Sequence, residues 1–135
     1  MIVADASAVG TFLIPDEAGL FAQFALAACA ANQLVVPAHW HVELASLIRK
    51  GMRQGRLTDT QARNAYTLAD DLAASVEVVA LPSVQQMVEV SQSLSLSTYD
   101  AAYHILARER GIALLTDGER LLRAAIGQGL LVLRP

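Results

Sequence analysis

The chain has 135 residues, of which 54% are hydrophobic, 17% charged and 5% aromatic, with a formal net charge of -3. Such a length is expected to form a single domain, residues 1–135, burying about two-thirds of the surface its unfolded chain exposes, in a core built mainly from Ala, Leu and Val. The charge excludes a globally basic nucleic-acid binder and leaves room only for a local patch. The lone Cys29 excludes an intrachain disulfide and a thiolate metal cluster. No apolar run approaches the roughly 20 residues of a membrane span, and no basic leader precedes an apolar stretch, so the expectation is a soluble cytoplasmic protein.

The first seven residues, Met-Ile-Val-Ala-Asp-Ala-Ser, read as a buried strand that ends on Asp5. A short helical segment follows, then Pro15 and Asp16 as an N-cap. From Ala18, the residues Leu20, Phe21, Phe24, Ala25 and Ala28 recur at helical spacing up to Asn32. Leu34–Val36, closed by Pro37, is a brief strand. A long helix then carries Trp40, Leu44, Leu47, Ile48 and Met52 on its buried stripe, with Glu43 bordering that stripe. Thr58 with Gln61, and Ser83 with Gln86, have capping-box spacing and each opens a helix. Between them, Val76–Leu81 reads as a strand. The chain turns near Leu94–Thr98 into a helix holding Asp100 in its first turn and stopped by Gly111. Ile112–Thr116 is the next strand, Asp117-Gly118 a turn, Leu121–Ile126 a short helix and Leu130–Leu133 a last strand.

Short apolar strands alternating with helices indicate an α/β fold with a mainly parallel sheet. Sites in such sheets gather at the carboxyl ends of the strands. Asp5 and Asp117 directly follow strands there, Asp100 opens a helix, and Glu43 lies early in a helix that begins just after a strand. Each acid alone has a plain alternative as a cap, a turn residue or a half-exposed side chain. Together they repel by about 4 kcal/mol per pair at 4 Å and an effective dielectric near 20. A hard divalent cation such as Mg²⁺ or Mn²⁺ removes that penalty and prefers oxygen ligands.

Met-Ile-Val-Ala-Asp5-Ala-Ser7, Val-Pro37-Ala-His-Trp40-His-Val-Glu43-Leu-Ala, Leu96-Ser97-Thr98-Tyr99-Asp100-Ala-Ala-Tyr103 and Leu-Leu-Thr116-Asp117 resemble the signature blocks of the PIN-domain toxins of the VapC type. The resemblance covers nearly the whole chain. It implies a three-layer α/β/α fold with the first strand central. It also implies a metal-dependent endoribonuclease, the toxin of a type II toxin–antitoxin pair, commonly a homodimer, acting on RNA and held in check by a cognate VapB-like antitoxin. Asp5 and Asp100 carry over as the main metal ligands, Glu43 as the third acid and Asp117 as the fourth. The family pattern Thr-x-Asp-x-x-Leu becomes Thr116-Asp117-Gly118-Glu119-Arg120-Leu121, so the Asp stands one place early and Glu119 is the substitute candidate. Cleavage would leave 5′-phosphate and 3′-hydroxyl ends, with Glu43 or Asp117 orienting or deprotonating the attacking water.

Ser7 and Thr116 are hydroxyls beside these ligands, placed to orient a carboxylate or a water, or to cap. Arg49, Arg53 and Arg56, with Lys50 beside them, form the best strip for RNA on the helix that carries Glu43, and a solvated face or an antitoxin surface explains the strip equally well. Arg120 and Arg123 are a weaker second patch. His39 and His41 flank Trp40 without a third nitrogen or sulfur ligand nearby, which favours packing or surface roles over zinc. His104 is a candidate RNA contact. Two alternatives remain open. One is a non-catalytic PIN-like module that binds RNA or protein. The other is a receiver- or phosphatase-like domain, disfavoured because no second acid lies two places after Asp5 and Lys50 is mid-helix.

Overall fold

The computed structural model describes residues 1–135. Its first strand, β1 (Ile2–Ala4), is internal to a four-stranded sheet in which every pairing is parallel. It lies between β2 (Leu34–Pro37) and β4 (Ala113–Leu115), and β3 (Glu77–Val79) pairs with the far side of β2. Ile2 stands opposite both Leu34 and Ala113, and Val35 opposite Glu77. Residues of β1 and β2 are buried on both faces, as their unbroken apolar runs demand.

Seven helices flank the sheet in a three-layer α/β/α arrangement: α1 (Ala6–Leu13), α2 (Leu20–Ala31), α3 (Trp40–Arg53), α4 (Asp59–Ala73), α5 (Val84–Leu94), α6 (Thr98–Arg110) and α7 (Glu119–Gly127). Helix α1 packs on α2, α3 and α4, whereas α6 packs on α5, α7 and strands β1, β2 and β4. Trp40, Tyr103, Leu114, Leu115 and Leu121 are among the largest side chains wholly inside the core. Helices α1 and α3 approach closely at Gly10, where an added Cβ would stand 2.9 Å from Leu47 Cδ1. No helix is long and apolar enough to cross a membrane.

Local chemistry sets most element ends. Thr58 and Gln61 form a complete capping box at α4. Ser83 accepts from the Gln86 amide at α5, but the Gln86 side chain turns to Glu109, so that box is half made. Gly111 ends α6 at φ +63°, the left-handed region open to glycine at little steric cost.

Two expectations shift. Asp16 does not cap α2, whose N-cap is Gly19. Asp16 sits in a single 3₁₀ turn, Pro15–Glu17, where the Arg56 guanidinium takes both its oxygens at 2.8 and 2.7 Å. The last strand contracts to one bridge, Leu114 with Val132, because only Leu114 exchanges backbone bonds with that segment. On α5, Val84 is 75% and Val88 43% exposed, while Leu94 packs against the core.

Because the strands are parallel, their carboxyl ends share one edge. Asp5 follows β1 there, Thr116 and Asp117 follow β4, and the end of β2 leads through Ala38 and His39 into α3, with Glu43 in its first turn.

Candidate active site

Asp5 is 4% exposed and is the N-cap of α1. Its backbone N–H donates to Leu115 O at 3.0 Å, prolonging the β1–β4 ladder up to the site. One carboxylate oxygen accepts from the Ala8 amide at 2.9 Å and from Ser7 Oγ at 2.8 Å. The other accepts from the Thr116 hydroxyl. Each hydroxyl thus spends its one hydrogen on Asp5 and turns its lone pairs outward. Ser7 Oγ accepts from the Asp117 amide at 3.1 Å, and Thr116 Oγ1 from the Gly118 amide at 2.9 Å. Two hydroxyls therefore stitch the loop after β4 to the carboxylate after β1.

Asp100 sits in the first turn of α6, where its amide donates to the Ser97 side chain at 3.0 Å. Glu43 reaches toward it from α3. One Glu43 oxygen, Oε1, accepts from the Tyr103 hydroxyl at 2.7 Å and lies 3.1 Å from His39 Nε2. His39 Nε2 is also 3.2 Å from Tyr99 O. Both of its neighbours are acceptors, which assigns the ring hydrogen to Nε2.

The charges at this edge are unbalanced. Burial pushes the Asp5 carboxyl up to about 6, against the pull of its three donors, and the Asp100 charge adds to the rise. Asp100 is raised by burial and then by Glu43, with His39 opposing. Asp117 is raised by burial alone. None of the protein's ion pairs reaches Asp5, Asp100 or Asp117. Oxygen-only, with Asp5 buried and no ion pair on Asp5, Asp100 or Asp117, this donor set would suit a hard divalent ion. No three His, Cys, Asp or Glu side chains lie close enough as they stand to enclose an ion.

The fourth acid stands apart. Asp117 is exposed, and its charge is felt by Glu17, which it helps to raise after burial and against Arg56. Glu119 pairs with Arg123 on the exposed side of α7. At Gly118, a Cβ would come 3.3 Å from Thr116 Oγ1, so a side chain there would press on a hydroxyl that holds Asp5.

The cationic strip divides. Arg49, Lys50 and Arg53 are exposed. Lys50 follows Glu43 by seven residues, close to two turns, and so shares its face. Arg49 instead lines a cavity between α3 and α4 with Tyr66 and Asp70, and Arg56 is committed to Asp16 and Glu17. His104 is wholly buried with neither ring nitrogen hydrogen-bonded, so it is not an RNA contact. His41 stacks edge-on against Trp40.

Sequence reasoning missed His39, Tyr103 and Glu17. His39 precedes Glu43 by four residues and Tyr103 follows Asp100 by three, and both spacings put neighbours on one helix face. Glu17 carried no such signal, since its proximity to Asp117 depends on the turn after α1.

Among solved structures, the chain is similar to PAE2754 from Pyrobaculum aerophilum, with 21% identity and a TM-score of 0.74 over 97% of this chain and 82% of that one. It is also similar to VapC20 (Rv2549c) of Mycobacterium tuberculosis, a toxin that cleaves the sarcin-ricin loop, with 19% identity and a TM-score of 0.67 over the full length of both. At these identities the likeness is one of fold. No curated protein matches significantly. The PIN domain family matches residues 2–127, and the chain belongs to that family.

Proposed function

We propose that this protein is a Mg²⁺- or Mn²⁺-dependent endoribonuclease, the toxin of a type II toxin–antitoxin system. The observation that carries the reading is Asp5, a buried carboxylate raised by burial and by Asp100, held by three neutral donors and met by no cationic side chain. Asp5 and Asp100 hold the ion, with Glu43 alongside and Asp117 at the rim. The bound ion supplies charge to the scissile phosphate and acidity to a water.

The chain's own groups do the positioning. Ser7, Thr116 and the Ala8 amide fix the Asp5 carboxylate. Tyr103 and His39 occupy Glu43 Oε1, which leaves Oε2 to orient the attacking water and take its proton. Lys50 and Arg53 give RNA its phosphate contacts, and Arg49 lies at the edge of that strip. The protein acts in the cytoplasm as a homodimer, inhibited by a VapB-like antitoxin.

VapC20 cleaves the sarcin-ricin loop, so a structured RNA hairpin is the first substrate to test. Purified wild type should cleave it in Mn²⁺, and Asp5→Ala and Asp100→Ala should not. Absence of metal-dependent cleavage by wild type overturns the nuclease reading. It would favour a non-catalytic PIN-like binding module.

A further inference from the structure

Tyr99 immediately precedes Asp100, yet its ring is 61% exposed. Its backbone is not loose. His39 Nε2 lies 3.2 Å from Tyr99 O while also contacting Glu43, and the His39 and Tyr99 rings sit 5.8 Å apart, tilted by 50°. The ring borders open space on two sides. One cavity, of about 380 Å³, is lined by Ala6, Ser7, Val42, Glu43, Ser46, Leu47 and Tyr99. Another, of about 290 Å³, includes His39, Leu81, Val84 and Met87 with Tyr99. A rigidly mounted, uncovered aromatic ring beside a group of acids is not explained by packing.

We infer that Tyr99 is a stacking platform for one nucleobase of single-stranded RNA, seated in the cavity between Tyr99 and Val42 beside Glu43. Three features select a base as the occupant. The walls Val42 and Leu47 are apolar, and Val42 is 67% exposed, which suits a flat ring. At the rim, Glu43 presents a carboxylate, which repels a phosphate, and Ser46 adds a hydroxyl able to donate to or accept from a base edge. Lys50, two turns along from Glu43 on the same face, is an exposed cation available to the RNA backbone. Aromatic side chains hold single-stranded nucleic acid in this way, because every base has a π-face. The cavity adjoins Glu43 and Ser7, so a base seated there brings its neighbouring phosphate to the acids. The assignment rests on the nuclease reading for the identity of its ligand.

The test is fluorescence of the RNA hairpin carrying 2-aminopurine at one position of its single-stranded loop at a time, with Ca²⁺ in place of Mg²⁺ or Mn²⁺. Wild type and Tyr99→Phe should quench the probe severalfold at one position and bind within about 3-fold of each other. Tyr99→Ala should lose the quenching and bind about 10-fold more weakly. Because the ring is exposed, Tyr99→Ala keeps its fold, which thermal unfolding checks. Quenching that survives Tyr99→Ala, or is lost equally in Tyr99→Phe, overturns the platform. So does RNA that fails to bind, or binds without quenching, as expected if this face receives a protein partner instead. Cleavage of the same RNA in Mn²⁺, measured in parallel, separates the two claims. Quenching without cleavage sinks the nuclease and keeps the platform, and cleavage without quenching does the reverse.

Discussion

The Tyr103 hydroxyl donates to Glu43 Oε1 across 2.7 Å, joining α6 to α3 over the acidic edge of the sheet. Burial and the Glu43 charge push the Tyr103 phenol far above its ordinary range, so it remains a donor at any working pH. Tyr103→Phe keeps the ring and removes only this bond. It should lower kcat about 10-fold, the lower end for loss of a group that orients a ligand, with KM little changed and the fold intact. Steady-state kinetics in Mn²⁺ on an RNA hairpin measure the split. An equal loss in KM would mean that Tyr103 touches RNA instead.

Asp5 makes the metal-free protein sensitive to pH, with a definite sign. Its folded-state carboxyl is raised from 3.8 to about 6, so the folded state binds the proton more tightly than the unfolded one. Stability therefore falls as pH rises from 3.8 to about 6, and the full penalty stands above that window. The penalty is on the order of 2–3 kcal/mol. Asp5→Asn should be more stable than wild type at pH 7 by that order and should lack the step between those values. Thermal unfolding from pH 3.5 to 7.5 without metal checks this, and a less stable Asp5→Asn would return Asp5 to a purely capping role.

Metal should reverse the same penalty. Added Mn²⁺ should raise the Tm of wild type above pH 6, where Asp5 is ionised, and have little effect near pH 4. Asp100→Asn and Asp5→Asn should each lose most of the rise. Equal stabilisation of wild type and both variants would place the ion elsewhere.

Thr116→Val removes a donor from Asp5 and an acceptor from the Gly118 amide in a single change of nearly equal volume. Leaving buried polar groups unpaired should cost about 1–3 kcal/mol by urea unfolding. Thr116→Ser should restore most of that. Activity should follow stability in this pair, because the same hydroxyl positions the carboxylate.

On the cationic strip, Lys50→Ala should weaken RNA binding and lower the salt slope by about 1, the mark of one lost phosphate contact. Arg56→Ala should change the slope less, since Asp16 and Glu17 already occupy its guanidinium. Filter binding across a salt series decides between them.

What the sequence made legible was local. Asp5 at a strand end, the Thr58 cap and Asp100 in a first turn follow from periodicity and capping chemistry within a few residues. Their partners were not legible, because they come from far along the chain. Thr116 lies 111 residues from Asp5, Tyr103 lies 60 from Glu43, and Arg56 lies 40 from Asp16. Helical spacing says which face a side chain occupies but not what the fold brings against it. The outward apolar face of α5 illustrates the same limit, since Val84 and Val88 have core-like spacing and no core to enter.

Gly10 gives the acidic cleft a dimension that none of the acids controls. It backs directly onto Leu47, and Leu47 is a wall of the cavity beside Tyr99. A single methyl added at position 10 would stand 2.9 Å from Leu47 Cδ1, so this wall of the cavity would have to shift. The room available to a ligand is thus gauged from behind, by a hydrogen atom at a position that does not itself line the cavity.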